Sequence, residues 1–320
     1  MAITVLAIVL ILWFVDLPEV GRSLREANVV FILAGTVVFV FSLFVRSLAW
    51  RMMLHRQVSW SRLFFTINVG YLFNNLLPFR VGEVSRAVLL SLVTPLEFWR
   101  VASTILLERG FDILYAAGIL LASVPFVVGT TWARNVAMSL GGVVVLGLVM
   151  LHFLARYQEK FFNWLDGVAA RWKWIGRLGV GRLRAFVTGL EILTDIRQFG
   201  VVLFAMAVVW GALLVEYTLL LRAFIPEATW LWGAFALGIG ALGVVVPSSP
   251  GFIGVVEASM MGALAVFGVR PEVALAYALT NHLVYFLVTI PLGLYGLTRE
   301  GESMLGLFRI VRESRMGSSE

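Results

Sequence analysis

The 320-residue chain contains no cysteine, which excludes disulfide bonds, thiolate metal sites and thiol nucleophiles. Histidine is almost as scarce, and three scattered histidines predict neither a metal site nor a metal cofactor. Charged residues make up only 14% of the chain, whereas 60% of the residues are apolar. A water-soluble protein of this length would expose too much apolar surface, so the sequence predicts a membrane protein with several spans.

Lysine is nearly absent too, so the net charge of +6 is carried by 23 arginines and only two lysines. The basic residues cluster in segments 46–62 and 156–198 and in the tail 299–320. Such clusters are typical of the cytoplasmic side of membrane proteins, and we interpret them as topology signals. Both termini are therefore expected to face the cytoplasm, and no nucleic-acid partner is expected.

Six apolar runs are candidates for full membrane spans, although the first is short for a hydrocarbon core of about 30 Å. They are residues 1–15, 29–50, 101–127, 136–155, 200–221 and 273–298. The first run lacks the leading positive charge of a cleaved signal peptide, so it is expected to stay in the protein as a span.

Two further pairs of apolar segments are each too short or too polar to make comfortable spans. They are 61–77 with 79–93, and 231–246 with 251–268. Each pair meets at a break rich in proline and glycine. We predict two re-entrant helical hairpins, because irregular backbone at membrane depth is tolerated only where protein or a watery cavity surrounds it.

The two breaks occupy corresponding positions in two halves of the chain. The interval along the sequence from Pro78 to Pro247 is nearly the same as the interval from Glu83 to Glu257. Paired breaks of this kind are a sequence pointer to the substrate site of a transporter.

The unit span–hairpin–span therefore occurs twice, at about 29–127 and 200–298, and the positions of the basic segments place the two copies in opposite orientations. The expected fold is an all-α polytopic membrane protein with an inverted-topology repeat. A single domain covers 1–298, followed by the cytoplasmic tail. Segment 156–198, where aromatic and basic residues alternate, is expected to be either an interfacial amphipathic helix or an ordinary cytoplasmic linker.

The first break combines helix-breaking residues with ionisable ones. Pro78 and Gly82 interrupt the helix. An arginine beside the positive end of a helix can hold a phosphate or carboxylate through two parallel hydrogen bonds. The predicted substrate ligands here are Asn75, Arg80 and Arg86, with Glu83 as a positioning or proton-carrying residue. The alternative is a cytoplasmic turn with a surface Glu83–Arg86 pair.

The second break has two prolines, two serines and two glycines. They are Pro247, Ser248, Ser249, Pro250, Gly251 and Gly254. Either serine can cap a helix that begins at Pro250, and both are candidate substrate ligands. Glu257 follows near membrane depth, where a carboxylate requires a buried partner or a proton. The alternative is a proline kink with a glutamate that reaches the interface.

A third group of charged residues lies near the start of the span 101–127. Glu108 and Asp112 are four residues apart on one helix face and would repel each other unless a cation lies between them. Arg109 is the predicted cation and the third arginine ligand; Arg80 or Arg86 could also reach from the hairpin. The alternative is an interfacial charge cluster.

Two ionisable residues of the second half complete the candidate site. Glu216 and His282 are candidates for charge relay or positioning. A membrane histidine is more commonly a hydrogen-bonded packing residue, and that interpretation stays open. The glycine pattern from Gly238 to Gly243 fits a dinucleotide fingerprint but lies inside an apolar span without a preceding strand, so it predicts helix packing and no cofactor.

Taken together, these residues resemble the flippase-like membrane family found at the N-terminus of lysylphosphatidylglycerol synthases and alone in many bacterial and archaeal proteins. The resemblance covers nearly the whole chain and is carried by Arg46, Trp50, Arg51, the string Asn75–Arg86, the string Glu108–Asp112 and the string Pro247–Glu257. Two departures concern Phe252, where the family usually has a second glycine, and Asn281-His282, where a basic residue is often expected.

The resemblance implies a lipid flippase of a bacterial or archaeal inner membrane rather than an enzyme, since the chain as given carries no counterpart of the family's soluble aminoacyl-transferase domain. The expected cargo is an anionic or phosphate-bearing membrane lipid that moves between leaflets. The competing prediction is an ion-coupled transporter of a small organic anion. An enzyme acting on lipid phosphates is a weaker alternative, because no activated nucleophile is visible. Homo-oligomerisation stays open.

Overall fold

The computed structural model describes residues 15–78, 80–127, 131–163, 180–245 and 249–299, together with Thr4, Val9, Ile11 and Trp13. Within these ranges the secondary structure is helical and contains no strand, which confirms the all-α class for this part of the chain. Most of the expected span 1–15, part of the loop 156–198 and nearly all of the tail 299–320 lie outside the described residues.

Eleven α-helices are described along these ranges. Their bounds are α1 (Leu17–Glu26), α2 (Val29–Met53), α3 (Trp60–Leu76), α4 (Val81–Val93), α5 (Phe98–Val127), α6 (Thr131–Arg156), α7 (Val180–Thr188), α8 (Ile196–Arg222), α9 (Trp230–Val245), α10 (Val255–Ala265) and α11 (Pro271–Arg299). Among the described residues, α2, α8 and α11 are long and apolar enough to cross a membrane. Helices α5 and α6 coincide with two further expected spans; α5 carries a buried charged cluster that lowers its apolar character.

Side-chain caps fix where several of these helices begin. The Asn28 side chain accepts a hydrogen bond from the Val30 N–H at 3.0 Å at the start of α2. At α8 the Asp195 carboxylate accepts from the N–H groups of Arg197 and Gln198. A cap satisfies backbone donors that the helix leaves free. For this reason α8 begins four residues before its expected span.

Helix α1 was not expected from the apolar pattern. It is a ten-residue amphipathic helix whose only buried residue is Val20. Its signals are local: Asp16 precedes it, a proline stands in its first turn, Glu19 lies near its start and Arg25 near its end. These positions suit the free backbone groups and the dipole of a helix.

Each of the two segment pairs expected to form a hairpin is a pair of packed helices, α3 with α4 and α9 with α10, and each pair is joined at a break rich in proline and glycine. The two halves pack crosswise. Helix α3 of the first hairpin packs against α11, α9 of the second hairpin packs against α5, and α2 packs along α8. Glycines allow the close approaches: Gly293 of α11 lies against the carbonyl of Asn68, and Gly238 of α9 lies against Leu120.

The described part of the 156–198 segment packs onto the helix bundle. Helix α7 lies against α5, Val187 is fully buried, and Leu190 and Ile192 are fully buried members of the largest core cluster. Gly189 approaches the carbonyl of Arg100 so closely that a side chain would not fit. Residues 187–193 therefore form part of the packed core, whereas 164–179 lie outside the described residues.

Candidate functional site

The tip of the first hairpin is a short non-helical break. Helix α3 ends at Leu76, and α4 begins at Val81 after Arg80, whose backbone is left-handed at φ 53°. The Asn74 side chain closes the break by accepting a hydrogen bond from the Gly82 N–H at 2.8 Å. Only glycine fits at 82, because a Cβ there would overlap the carbonyl oxygen of Gly70.

Behind this tip, Glu108 of α5 forms ion pairs with three arginines. Arg86 of α4 binds both carboxylate oxygens of Glu108, at 2.8 and 3.1 Å. Arg46 of α2 reaches the same carboxylate at 3.1 Å, and Arg109 reaches it at 2.6 Å. Glu108 is buried. A buried carboxylate is tolerated in such a place because its charge is balanced and its oxygens are hydrogen-bonded.

Asp112, one turn further along α5, shares two of these arginines. Arg46 binds it with both terminal nitrogens, at 2.9 and 3.0 Å, and Arg109 lies 3.2 Å from it. Trp210 of α8 donates its indole N–H to the same carboxylate at 3.0 Å. The prediction that a cation separates Glu108 from Asp112 is confirmed, with Arg109 and Arg46 both in that role.

The alternative interpretation of the first break, a surface Glu83–Arg86 pair, is wrong. Arg86 reaches from the hairpin to Glu108, as the sequence allowed, and lies 4.1 Å from the Trp50 ring centre, so it is part of the packed core. Glu83 instead lies 4.0 Å from Arg109. The i, i+3 spacing puts Glu83 and Arg86 on one face of α4, yet α5 packs against that helix and offers Arg86 a buried acid.

Arg46 is the important residue that sequence reasoning did not include among the site candidates. Its side chain is buried, and it lies within α2, an apolar helix of 25 residues. An arginine within a membrane helix is costly unless an acid pairs with it, and that was an available signal. Its partners are 62 and 66 residues away, so nothing local identified them.

The tip of the second hairpin is a longer break, of which Pro247 and Ser248 lie outside the described residues. Residues Pro250–Phe252 form a short 3-10 helix, and both Gly251 and Phe252 have positive φ. The expected serine cap is wrong for Ser249: its hydroxyl makes no cap and donates to the Ile253 carbonyl at 3.1 Å. Helix α10 begins only at Val255, after Gly254 at φ 85°, a conformation that favours glycine.

Glu257 holds the start of α10 and also meets His282. One carboxylate oxygen accepts the Gly254 N–H at 2.6 Å, and the other lies 2.5 Å from Nδ1 of His282 on α11. Both residues are buried. The expectation that Glu257 requires a buried partner is confirmed, and that partner joins the second break to the last helix.

Between the two breaks lies a cavity of about 770 Å³. Its ionisable lining residues are Arg46, Arg80, Arg109, Asp112, Glu216 and His282, with tyrosines 71, 217 and 285. Apolar and aromatic side chains form most of the rest, among them Phe39, Leu43, Trp210, Phe252 and Met260. Its size and its few convergent polar groups are typical of a ligand site.

The remaining predicted ligands lie away from this lining. Asn75 donates to the Thr289 hydroxyl at 3.1 Å and so ties the first break to α11. Ser249 contacts Thr4 through its N–H. Arg86 and Glu108 lie behind the cavity wall, and Glu83 and Glu257 are likewise absent from the lining.

Arg80 differs from the other arginines at the cavity. Within the described part of the chain no carboxylate lies within 4 Å of it, whereas Arg46, Arg86 and Arg109 each bind one. Its Nε is buried without a hydrogen-bond partner, as are those of Arg86 and Arg109. Its guanidinium stands over the Phe252 ring, 5.6 Å from the ring centre. The site therefore presents one arginine whose charge no acid balances directly.

Glu216 of α8 is an acidic residue that, like Arg80, has no partner of opposite charge among the described residues. It is 3% exposed, and among the described residues no cation lies within ion-pair distance of it. It accepts a hydrogen bond from the Asn281 amide at 3.3 Å. Across the described residues, no group of three histidine or acidic side chains could hold a metal ion.

Comparison with known proteins gives one family and several relatives. Residues 1–293 match the family described as "Lysylphosphatidylglycerol synthase TM region". The protein named Glycosyltransferase AglD, from Haloferax volcanii, is 26% identical over 90% of this chain and 52% of its own length. The chain therefore spans about half of that relative.

Two proteins of Methanothermobacter thermautotrophicus, each named UPF0104 membrane protein, are 23% identical to the chain. The alignments cover 94% and 91% of this chain and 95% and 90% of those proteins. No solved structure matches the chain significantly. Since the family match extends over residues 1–293, this membrane protein belongs to the lysylphosphatidylglycerol synthase TM region family.

Proposed function

We propose that this protein is a lipid flippase that moves an anionic, phosphate-bearing lipid headgroup between leaflets through the cavity between its two hairpins. The observation that carries the proposal is Arg80, the arginine without an acid partner at the tip of the first hairpin. A guanidinium matches a phosphate oxygen pair with two parallel hydrogen bonds. Arg109 and Arg46, already bound to acids, add positive potential and spare N–H groups.

The conformation of Arg80 also supports a role in binding. A left-handed backbone at a residue other than glycine costs about 1–3 kcal/mol, and such strain clusters at ligand sites. In this conformation the side chain projects into the cavity and over Phe252. The second break repeats the feature, since Phe252 itself has φ 59°.

The hairpin helices support a re-entrant arrangement. Helices α3 and α4 have 17 and 13 residues, and α9 and α10 have 16 and 11. At 1.5 Å per residue even the longest reaches about 26 Å, short of a hydrocarbon core of about 30 Å. We propose that each pair enters and leaves on the same side, which places both breaks at membrane depth.

The packing supports an inverted repeat of the two halves. In the first hairpin Gly70 lies against the Gly82 carbonyl, and in the second Gly243 lies against Ser259 and near the Val255 carbonyl. Gly243 and Val255 follow their first-half counterparts, Gly70 and Gly82, by the same interval along the chain. With the basic segments inside, we propose that both termini face the cytoplasm. Alternating access would then come from one repeat moving against the other.

We propose no enzymatic reaction for this membrane domain, although one relative is named a glycosyltransferase. Only about half of that protein is covered by the chain, so its name is not evidence for chemistry in this half.

The function proposed second is an ion-coupled carrier of a small organic anion. The buried Glu257–His282 pair favours it, because such pairs in membranes are typical of proton relays.

The proposal is tested by identifying the lipids that copurify with the full chain and with the Arg80→Ala variant. We expect the wild type to retain anionic phospholipid beyond its share of the membrane, and the variant to lose that enrichment. The matched control is Arg22→Ala, which removes an exposed arginine outside the cavity. Equal lipid profiles for all three proteins would contradict a headgroup site at Arg80.

A further inference from the structure

The two halves of the cavity differ in how their charges are balanced. The first half contributes four arginines against three acids: Arg46, Arg80, Arg86 and Arg109 against Glu83, Glu108 and Asp112. The second half contributes two acids, Glu216 and Glu257, and only one titratable base, His282. The net charge that a bound anion meets therefore depends on how many protons the second half holds.

Glu257 is the acid with fixed partners. One of its oxygens accepts the Gly254 N–H and the other lies against Nδ1 of His282, so both oxygens have hydrogen-bond partners. Glu216 has no such support. It accepts a hydrogen bond from a neutral amide, it is 3% exposed, and it lines the cavity. A buried carboxylate without a counter-charge is stabilised by binding a proton.

Among the described residues no cation lies within ion-pair distance of Glu216. Helix α9, which packs against α8, has no ionisable residue in its sequence. Tyr217 of α8 and Tyr277 of α11 are close enough to Glu216 to interact with it electrostatically. The other charged and titratable groups that line the same cavity are Arg46 of α2, Tyr71 of α3, Arg80 just before α4, Arg109 and Asp112 of α5, and His282 and Tyr285 of α11. Arg46 and Arg109 are both bound to acids, so they do not neutralise Glu216 directly.

We infer that an anion and a proton bind this cavity together, with the proton carried on the Glu216 carboxyl group. An ionised Glu216 offsets the charge of Arg80, the cavity arginine that has no acid partner among the described residues. With Glu216 protonated, the positive charge of Arg80 is available to an anion. The proton comes from bulk water when the anion enters and returns to bulk water when the anion leaves. This inference rests on the proposed function and names its coupling ion.

Linkage makes the effect reciprocal: if the anion favours the protonated site, acid must favour the anion by the same factor. Uptake of one proton per anion corresponds to an affinity that rises about tenfold for each unit of falling pH. Glutamine resembles a protonated carboxyl in size and in having a donor and an acceptor. Glu216→Gln should therefore hold the cavity in its anion-binding form at every pH.

The experiment measures binding of dihexanoyl phosphatidylglycerol to the purified full chain by calorimetry, at pH 6 and pH 8. Each titration is repeated in two buffers of different ionisation enthalpy, which gives the number of protons taken up per anion. Glycerol 1-phosphate, which carries a phosphate without tails, distinguishes a lipid headgroup site from a site for small anions. Glu227→Gln, an exposed carboxylate in the α8–α9 loop, is the matched control.

For the wild type and for Glu227→Gln we expect up to one proton taken up per anion, and affinity that falls about tenfold or more from pH 6 to pH 8. For Glu216→Gln we expect proton uptake near zero and tighter binding than wild type at pH 8. A gain in affinity separates this role from a structural one, since a misfolded variant binds less.

Wild-type binding that is independent of pH and buffer would overturn the inference and leave the proposed function intact. Proton uptake that persists in Glu216→Gln, whether or not Glu257→Gln abolishes it, would overturn the assignment to Glu216. If neither probe binds the wild type at either pH, the proposed function and this inference both fail.

Discussion

The guanidinium carbon of Arg80 lies 5.6 Å from the ring centre of Phe252, and both residues have left-handed backbones at the tips of their hairpins. Their separation along the chain is close to the interval that relates the two halves elsewhere. A cation above an aromatic ring is held electrostatically without being neutralised. The contact joins the two breaks across the cavity and leaves the arginine available to an anion.

Because the backbone of Arg80 is left-handed, replacing this residue by glycine should affect stability and ligand binding in opposite ways. Arg80→Gly removes a side chain that makes no ion pair and relieves a backbone that favours glycine, so we expect the midpoint of thermal unfolding to stay the same or rise. Binding of dihexanoyl phosphatidylglycerol should be lost. Arg80→Lys keeps the charge but loses the two-bond fork and should bind with intermediate affinity. Ligand-induced stabilisation that survives in Arg80→Gly would remove Arg80 from the site.

The carboxylate of Glu108 should be essential for stability. Glu108→Gln leaves the buried Arg46 and Arg86 and the partly buried Arg109 with a reduced counter-charge, and losing one partner of a buried pair costs roughly 3–5 kcal/mol. The comparison is Glu19→Gln, which breaks an exposed pair with Arg22 worth about 0–1 kcal/mol. Unfolding of both variants in detergent micelles measures the difference. Similar unfolding midpoints would show that the arginine cluster is not a structural centre.

Two glycines provide a matched test of hairpin packing. Gly82→Ala would place a methyl group against the Gly70 carbonyl and the Asn74 side chain, and overpacking of this kind costs about 1–3 kcal/mol or more. Gly118→Ala has no atom within 4 Å of its new methyl group and should be neutral or slightly stabilising in its helix. Thermal unfolding of the two variants should differ clearly. Equal stability would mean that the first hairpin opens more widely than in the structure.

Helix positions and breaks could be predicted from the sequence because their causes are local. Clusters of proline with glycine and polar residues interrupt a helix locally, and the expected breaks near Pro78 and Pro250 appear within a few residues of their predicted positions. A single proline or glycine does not have this effect, since Pro291 lies inside α11. The expected spans differ from α2, α5, α6, α8 and α11 by at most five residues at either end. Caps such as Asp195 account for part of these differences.

Arg109 beside Glu108 and Asp112 could be predicted from local spacing, but most other partners within the site could not, because they depend on which helices pack together. The spacing places Glu83 and Arg86 on one face of α4. In the fold, α5 packs against α4, and Arg86 binds the buried carboxylate of Glu108. Asn75 was expected to bind substrate and instead contacts Thr289, which is 214 residues away. Arg80 was predicted for its charge. That it lacks an acid partner, which makes it the strongest candidate, is a property of the fold alone.

The orientation of the chain can be tested with single cysteines, since the protein has none of its own. Arg197→Cys and Glu227→Cys place exposed thiols at opposite ends of α8. We expect a membrane-impermeant maleimide added to intact cells to label position 227 and to label position 197 only after the cells are opened. The reverse pattern would place the termini outside and invert the proposed repeat.

The central claim is that the cavity carries an anionic lipid headgroup across the membrane with Arg80 as its ligand. The most direct measurement reconstitutes the full chain in phosphatidylcholine vesicles that contain fluorescent phosphatidylglycerol and follows the fraction that dithionite bleaches. We predict that wild-type protein and the Arg22→Ala control expose inner-leaflet phosphatidylglycerol to bleaching, whereas Arg80→Ala leaves it protected as in protein-free vesicles. Equal bleaching with wild type and Arg80→Ala, or no bleaching beyond protein-free vesicles with either, would contradict the account.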